Sequence, residues 1–368
     1  MRLKREVTIG LLTTKAMRDN YIYSNNRANL FRCKVPLSGA EQLFVVNGKV
    51  QDSDNSYSLV VEKGCTLPNI QQVIYVRNID SNIAIREIDG VPVEDSRLKD
   101  MLKLDCESNI LMKEGSNAKL LFCSHTLSMD EFETDELVNI TLERDANLDL
   151  IIMQNEHNKA HHRADYKISL DANSTLTMTF LSLHGGEITN NIEVNMIGEH
   201  ANCQLKGLCL ADKEQSMSTN VKLNHLVPNC YSNQLFKNIL DDSSFTNFFG
   251  RIYVAKDAQK SEALQANHNL ILCDKAKVKT KPQLEIYADD VICNHGATIG
   301  KINEDELFYM RSRGITLHEA KILQLLSFTS DITNSITTDA LKERLNLLVE
   351  KRLRGEFSNN NNCSKNCC

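Results

Sequence analysis

The residues of this 368-residue chain that are best placed to do chemistry lie between positions 281 and 300. Cys293 and His295 stand two residues apart, and side chains at positions i and i+2 of a β-strand share one face, about 6 to 7 Å apart. A thiol and an imidazole at that spacing could hold a soft or borderline metal ion. In the competing interpretation, Cys293 is a small buried hydrophobe and His295 a satisfied polar residue at a strand end.

The sequence before this pair predicts the strand that would carry it. Residues 284–288 alternate apolar and polar types, which is typical of a strand with one buried face. Pro282 lacks a backbone donor and is expected to open the strand, and Gly296 is expected to end the run. Asp289 and Asp290 interrupt the alternation. They support a rival hypothesis, a β-solenoid enzyme that acts on acidic polysaccharide with these carboxylates as cation ligands or as acid and base.

Two nearly gapless segments resemble a known family. Residues 282–300 read PQLEIYADDVICNHGATIG, and residues 307–315 read LFYMRSRGI. Both resemble the SufB/SufD family, the scaffold subunits of an iron-sulfur cluster assembly complex. The resemblance is strongest over residues 270–330 and diffuse over 140–270, and before that only the LFVVNG segment at 43–48 is similar to the family.

Three positions indicate the branch of the family. The SufB branch has a reactive cysteine four residues before the Thr of its T-x-P element, whereas this chain has Ala276 four residues before Thr280. The SufB branch reads HEAT where this chain reads HGAT from His295 onward. Both differences resemble the SufD branch. Asn294 departs from the Ser that is usual there, and no physical reason makes that departure matter.

The resemblance implies a fold, partners and a cargo. The implied fold is a right-handed parallel β-helix that pairs with a SufB-type paralogue and carries C-terminal helices that bind a SufC-type ABC ATPase, the only subunit to use ATP. A nascent iron-sulfur cluster would form at the boundary between the two scaffold subunits. His295 matches the candidate cluster ligand of the family, a thiolate from the partner would complete the site, and Cys293 is a weaker candidate. A homodimer, formed when the chain is alone, is a further alternative.

Composition narrows the classes of partner. The net charge is −6, which argues against a general phosphate-binding surface and therefore against nucleic acid. No apolar run approaches the roughly 20 residues that span a bilayer, so no membrane is expected. The chain is predicted to be cytoplasmic, or organellar if its basic N-terminus is a targeting segment. The absence of Trp counts against the polysaccharide hypothesis, because sugar clefts use aromatic stacking.

The chain lacks several motifs that enzymes and metal sites commonly use, and the resemblance implies a non-catalytic scaffold. The twelve cysteines include no Cys-x-x-Cys pair, which argues for reduced thiols and against an autonomous zinc or iron-sulfur site of the usual spacing. The sequence contains neither a G-x-x-x-x-G-K-[ST] loop nor a G-x-S-x-G elbow. The chain alone is therefore expected neither to hydrolyse ATP nor to perform serine chemistry.

The pattern along the chain predicts four regions. Residues 1–108 form an N-terminal region of short strands with hairpins at the Asn-Gly pair 47–48 and the Asp-Gly pair 89–90. Residues 109–300 form the β-helix, 301–357 a helical segment, and 358–368 a disordered tail. Within the β-helix, turns followed by Ala or Ser recur at intervals of 26 and 29 residues, which predicts a coil of three strands.

Three helices are expected after residue 300. An Asn N-cap at 303, a capping box that starts at Thr316, and a third start near Thr338 mark their beginnings. Apolar stripes on the last two helices exceed what a helix pair buries against itself, so they are predicted to contact the ATPase. Those residues are Leu323, Leu326, Leu341, Leu345 and Leu348.

A second cluster of potential ligands, His157, His161 and His162, lies further upstream. These residues would suit zinc if they lay on one helix. Their Asn- and Lys-rich surroundings instead predict a solvated loop between strands.

Overall fold

The chain folds into a parallel β-solenoid with three helices at its C-terminal end. The computed structural model describes residues 6–9, 41–46, 56–64, 71–77, 85–88, 91–94, 102–126 and 131–355. Within these ranges, two sheets of nine parallel strands face each other, and one antiparallel hairpin stands apart. This confirms the predicted parallel β-helix. The tail at 358–368 lies outside the described residues.

The strands are numbered in chain order. The first ten are β1 (Glu6–Ile9), β2 (Glu41–Val46), β3 (Ser56–Val61), β4 (Gln71–Arg77), β5 (Ile85–Ile88), β6 (Val91–Glu94), β7 (Leu102–Met112), β8 (Asn117–Thr126), β9 (Phe132–Leu142) and β10 (Asn147–Asn155). The second ten are β11 (Ala160–Leu170), β12 (Thr175–His184), β13 (Glu187–Met196), β14 (Asn202–Ala211), β15 (Ser216–His225), β16 (Tyr231–Leu240), β17 (Phe245–Val254), β18 (Glu262–Ile271), β19 (Lys277–Ile286) and β20 (Ile292–Gly300).

Each coil contains two long strands, so the predicted three-strand coil is wrong. Sheet A has the order β1-β3-β7-β9-β11-β13-β15-β17-β19, and sheet B has the order β2-β4-β8-β10-β12-β14-β16-β18-β20. The chain therefore crosses from one sheet to the other after almost every strand. The predicted period is nevertheless correct: Asp165 pairs with Asn191, and Asn191 with Asn220, at offsets of 26 and 29 residues.

The sequence repeat marks one corner of the coil. Asp145 and Asn173 adopt positive φ angles of 59° and 57°, a backbone region that Asp and Asn enter more readily than most residues. The next residues, Ala146 and Ser174, are small and fully buried. The turn-then-Ala-or-Ser pattern therefore arises because each coil turns sharply and then places a small side chain inside.

Stacked apolar columns fill most of the solenoid interior. Val138, Tyr166, Ile192 and Val221 are register partners on four successive coils and are all buried. Their neighbours along each strand of sheet A are more exposed, as the burial of β9 alternates residue by residue. Fully burying a side chain of this size contributes roughly 1.5 to 3 kcal/mol, so each column stabilises the stacking of its coils.

The N-terminal strands extend the two main sheets. β1 and β3 join sheet A, while β2 and β4 join sheet B, all in parallel. The hairpin predicted at residues 47–48 is therefore wrong, because β2 and β3 lie in different sheets. The hairpin at 89–90 is confirmed, since β5 and β6 pair antiparallel on either side of it. The boundary expected at residue 109 falls inside β7.

Three helices follow the last coil as predicted: α1 (Glu304–Ser312), α2 (Leu317–Thr333) and α3 (Asp339–Leu353). The Asn303 side chain accepts hydrogen bonds from two backbone N–H groups of the first turn of α1. Thr316 accepts one from the Glu319 N–H at the start of α2. Gly314, at a φ of 91°, lies just past the end of α1, where an L side chain would be strained.

Candidate functional site

The predicted ligand pair lies on β20, the last strand of sheet B. Cys293 pairs in register with Ala263, and His295 pairs with Gln265, both of which face the interior of the preceding coil. Cys293 and His295 therefore share the inward face, as the alternation predicted. β20 continues to Gly300, so the expectation that Gly296 ends the run is wrong.

His295 and Cys293 differ in their surroundings. His295 is exposed, because no strand of the described chain follows β20 in sheet B. Cys293 is half-buried against an apolar cluster that includes Val291 and Leu284, and this burial raises the pKa of its thiol. A thiol held neutral by burial is a poor metal ligand, because the thiolate is the form that binds. The geometry favours a packing role for Cys293 and leaves the His295 side chain accessible.

The end of the solenoid is an open surface. β19 and β20 are the outermost strands of their sheets among the described residues, so each presents a free edge. Pro282 lies inside β19 and does not begin it, an arrangement that an edge strand tolerates because one side of its backbone has no strand to bond. Large apolar side chains are exposed on and between these strands: Ile286, Tyr287, Ile292 and Ile299.

Asp289 and Asp290 lie at the corner between β19 and β20, where both are exposed. The Asp290 N–H donates to Gln259 Oε1 at 2.9 Å, and its carbonyl accepts from the Lys260 N–H at 2.6 Å. These bonds attach the last corner to the corner of the preceding coil. The interruption that the sequence showed here is thus a solenoid corner.

Beneath His295 the interior is polar, a feature that the sequence analysis missed. Gln234 and Gln265 on β16 and β18 are buried, as are Asn267 and Asn269. The Asn269 amide donates to Asn267 Oδ1 at 2.7 Å and to the Thr298 carbonyl of β20 at 3.0 Å. The sequence feature that could have predicted this polar interior is the amide side chain at each of the alternate positions 265, 267 and 269, where a strand core normally has apolar residues.

The helices cover the outer face of sheet B and create a second core. Leu341, Leu345 and Leu348 of α3 are 2%, 1% and 7% exposed and belong to the same apolar cluster as Ile151 and Leu181. They are therefore unavailable to a partner in this structure, which argues against the prediction that these three leucines contact the ATPase. The apolar stripe does exceed what the helix pair needs, but the excess packs on the solenoid.

One helix surface remains exposed. Leu323 of α2 is 46% exposed and lines a cleft between α1 and α2 together with Tyr309 and Met310. Phe308 on α1 is 72% exposed, and Leu326 is half-buried. Of the five leucines that the sequence analysis proposed, Leu323 is the one whose side chain most clearly faces outward.

A buried arginine anchors α3 to the solenoid. Arg352 Nε donates to the Leu183 carbonyl at 2.7 Å, and Nη1 lies 2.6 Å from Asp212 Oδ2. Burial alone would raise the pKa of Asp212, but the hydrogen bond and positive charge of Arg352 outweigh it and lower that pKa. The sequence analysis did not predict this tertiary contact.

The histidine cluster is also structural, so the predicted solvated loop is wrong. His161 and His162 lie on β11, and His157 is buried in the turn before it. His162 Nδ1 lies 3.2 Å from both carboxylate oxygens of Glu156, and Nε2 lies 3.2 Å from Glu136 Oε2. Burial alone would lower the pKa of His162, but these two buried glutamates raise it to about 9.

The described part of the chain contains neither a cluster of metal ligands nor a helix suited to a membrane. Across these ranges, no group of three or more His, Cys, Asp or Glu side chains is arranged to hold a metal ion. None of the described helices combines the length and apolar character needed to cross a bilayer. His295 thus has a single neighbour of ligand type on its own face, Cys293.

The architecture defines the protein as a parallel β-solenoid with an exposed histidine at its open end, and comparison with known proteins supplies the family. Residues 106–328 match the family model described as "SUF system FeS cluster assembly, SufBD core domain". The chain therefore belongs to the SufB/SufD family, whose role is iron-sulfur cluster assembly. This confirms the resemblance seen in the sequence.

Individual relatives agree with the family match. The chain is 32% identical over 246 residues to the iron-sulfur cluster assembly protein SufD of Escherichia coli, a match that covers 66% of this chain and 58% of that protein. It is 28% identical over 316 residues to a SufBD family protein of Synechocystis, covering 85% and 69%. It is 27% identical over 290 residues to the chloroplastic protein ABCI7 of Arabidopsis thaliana, covering 78% and 58%. The chain thus spans less than two thirds of the length of E. coli SufD.

Proposed function

We propose that this chain is a SufD-like, non-catalytic scaffold whose open solenoid end pairs with a SufB-type paralogue. The observation that carries the proposal is the position of His295, exposed on a free edge strand at the mouth of the solenoid. A nascent iron-sulfur cluster is the cargo of this site. A SufC-type ATPase on the helices supplies the ATP-dependent work.

The open end has the properties of a pairing surface. A free strand edge offers unsatisfied backbone donors and acceptors that a strand from another chain can bond. The exposed Tyr287, Ile292 and Ile299 would lose contact with water on such pairing. At about 25 cal/mol per Å² of apolar surface, burying these side chains stabilises association.

Charge on the same edge disfavours pairing between two copies of the chain. Lys277, Lys279 and Lys281 are exposed at alternate positions of β19 and therefore share one face. An antiparallel copy centred on Lys279 would place lysine opposite lysine, which is destabilising. A paralogue with acidic or neutral residues at the facing positions fits better, so we favour the heterodimer over the homodimer.

The protein ligands of an iron-sulfur cluster at this site would have to come partly from the partner subunit. Iron-sulfur clusters are normally held by four protein ligands, mostly Cys thiolates. This chain offers His295 and, half-buried beside it, Cys293. In the proposal, His295 supplies one ligand from this subunit, and a thiolate from the SufB-type partner faces it across the boundary. The cluster then forms only where the two solenoid ends meet.

The ATPase contact is proposed on the α1–α2 surface. Phe308, Tyr309 and Leu323 are exposed there. Because α3 is packed on sheet B and anchored through Arg352, a force applied at α1 and α2 would be transmitted to the solenoid. This assignment retains Leu323 and Leu326 from the sequence prediction and replaces the α3 leucines.

The test is co-expression with candidate SufB- and SufC-type partners, followed by anaerobic iron and sulfide analysis of the purified complex. His295→Ala is expected to leave the complex assembled and to lower the cluster yield sharply. Cys293→Ser is the matched control on the same strand face and should lower it less. Full cluster yield in an intact His295→Ala complex would remove His295 from the site, and loss of the complex would make His295 structural.

A further inference from the structure

A ladder of buried side chains leads up to His295. Gln234 on β16, Gln265 on β18 and His295 on β20 are register partners on three successive coils of sheet B. Neighbouring strands in a sheet lie about 4.8 Å apart, so each side chain in this column lies directly over the previous one. Gln234 is 0% exposed and Gln265 4% exposed, whereas His295 faces solvent.

The hydrogen bonds in the ladder stop one step short of His295. Gln265 Nε2 donates to Gln234 Oε1 at 3.0 Å. Gln265 Oε1 is buried and has no hydrogen-bond partner among the residues that the structure describes. A buried polar atom without a partner destabilises the fold, so such an atom at a candidate functional site calls for an explanation.

The position of the Gln265 amide is fixed by its surroundings. Gly250 of β17 faces it across the interior, and a Cβ at that position would lie 2.2 Å from Gln265 Nε2. The glycine therefore provides the space that the amide occupies. Gln265 Nε2 already donates to Gln234 in the preceding coil. Gln265 Oε1 is therefore the amide atom that remains available to His295 in the following coil.

We infer that Gln265 is a positioning residue for His295: its free Oε1 is the acceptor for the imidazole Nδ1–H when the His295 ring turns toward the preceding coil, and this bond continues the amide ladder by one step. Nδ1 is the ring nitrogen nearer to the backbone, which lets it reach an atom one strand spacing away while the ring tip points outward. A neutral imidazole carries one N–H, so this bond leaves Nε2 with its lone pair free.

This inference rests on the proposed function for its purpose, because an oriented imidazole with a free Nε2 is what a metal-binding histidine requires. Histidines that bind metals usually donate their other ring N–H to an acceptor, which fixes the tautomer and the ring orientation. Here the acceptor is present before any partner or cargo arrives. The chain would thus present a pre-oriented ligand at the solenoid mouth.

The experiment reads the His295 tautomer in the full-length chain alone. Uniformly ¹⁵N-histidine-labelled protein is studied by NMR at a pH where the imidazole is neutral, and the His295 signals are assigned by their loss in His295→Asn. We expect the Nδ1–H tautomer to dominate in the wild type. In Gln265→Met, which keeps the length of the side chain and removes the acceptor, the tautomer ratio should fall about fivefold, the effect of one net hydrogen bond.

Asn269→Leu is the control, because it removes a buried amide of the same strand that is in register with Ile299 and not with His295. It should leave the His295 tautomer unchanged. If Gln265→Met fails to fold, Gly250→Ala displaces the Gln265 amide and should produce the same loss. An unchanged tautomer ratio in the folded Gln265 or Gly250 variant, or a dominant Nε2–H tautomer in the wild type, would overturn the inference.

The readout separates this inference from the proposed function. The tautomer is measured without partner, iron or sulfide, so it tests the hydrogen bond alone. If His295→Ala complexes retain full cluster yield while the tautomer still depends on Gln265, the proposed function fails and the positioning role stands. If the tautomer does not depend on Gln265 while His295→Ala lowers the cluster yield, the positioning role fails and the proposed function stands.

Discussion

The buried Glu136–His162–Glu156 triad gives the chain a stability that should depend on pH. The pKa of His162 is raised to about 9 in the folded chain, against 6.5 for an ordinary histidine. A group whose pKa rises on folding contributes stability that is fully present below its unfolded pKa and is lost as the pH rises through its folded pKa. The contribution of His162 is therefore complete below pH 6.5 and disappears by about pH 9.

The size of the effect follows from the shift. About 2.5 pKa units at 1.36 kcal/mol each correspond to roughly 3 kcal/mol of unfolding free energy. His162→Gln removes the positive charge and leaves two buried carboxylates facing each other. Breaking a buried ion pair from one side costs about 3 to 5 kcal/mol, so the variant should be destabilised by that order at pH 7.

The assay is urea unfolding followed by far-UV circular dichroism at pH 6 to 9.5. The difference between wild type and His162→Gln should shrink as the pH rises. His161→Gln is the matched control on the same strand, because His161 lies 3.2 Å from Glu187 but is 37% exposed, and exposed pairs contribute about 0 to 1 kcal/mol. A difference for His162→Gln that stayed constant from pH 6 to 9.5 would refute a charged His162.

Two further predictions concern the helices and the cargo. Leu345→Asp places a charge in the core shared by α3 and sheet B, so it should detach α3 and lower the midpoint of thermal unfolding. Leu323→Asp changes an exposed residue, so it should keep the fold and weaken SufC-type ATPase binding in a pull-down. Normal ATPase binding by Leu323→Asp would contradict the proposed surface. The isolated chain, incubated anaerobically with iron and sulfide, should neither hydrolyse ATP nor retain a cluster, since His295 and Cys293 supply at most two of four ligands. A stoichiometric, chelator-resistant cluster on the pure chain would contradict this.

Local features of the fold could be predicted from sequence because their causes are local. Asn303 and Thr316 cap helices through bonds to N–H groups within three residues, so a short pattern contains all the partners. Asp145 and Asn173 mark corners because their own residue types tolerate the required φ. The coil period followed from the spacing of such corners. The number of strands per coil could not be predicted in this way. The repeat gives the number of residues in one coil, but it does not show how many corners that coil contains.

The parts that sequence could not predict depend on contacts between distant residues. The stripe on α3 indicated that Leu345 would be buried, but nothing in the helix says whether a partner or the solenoid covers it. His162 looked solvated among polar neighbours, yet Glu136 lies 26 positions upstream and meets it only through strand pairing. Gln265 lies under His295 because of an offset of 30 residues that register alone determines.

The open end of the solenoid connects stability to the proposed function. Stacked repeats need a covered terminal surface, because the last coil has no neighbour to bury its inward face. Here β20 carries His295 on that uncovered face, and the helices cover the side of sheet B but not its edge. A partner that pairs with this edge would bury the inward face of β20 and enclose the imidazole in the same step. Under the proposed pairing, the surface that needs a partner for stability is also the surface that holds the ligand, so the site is completed only when the two subunits are assembled.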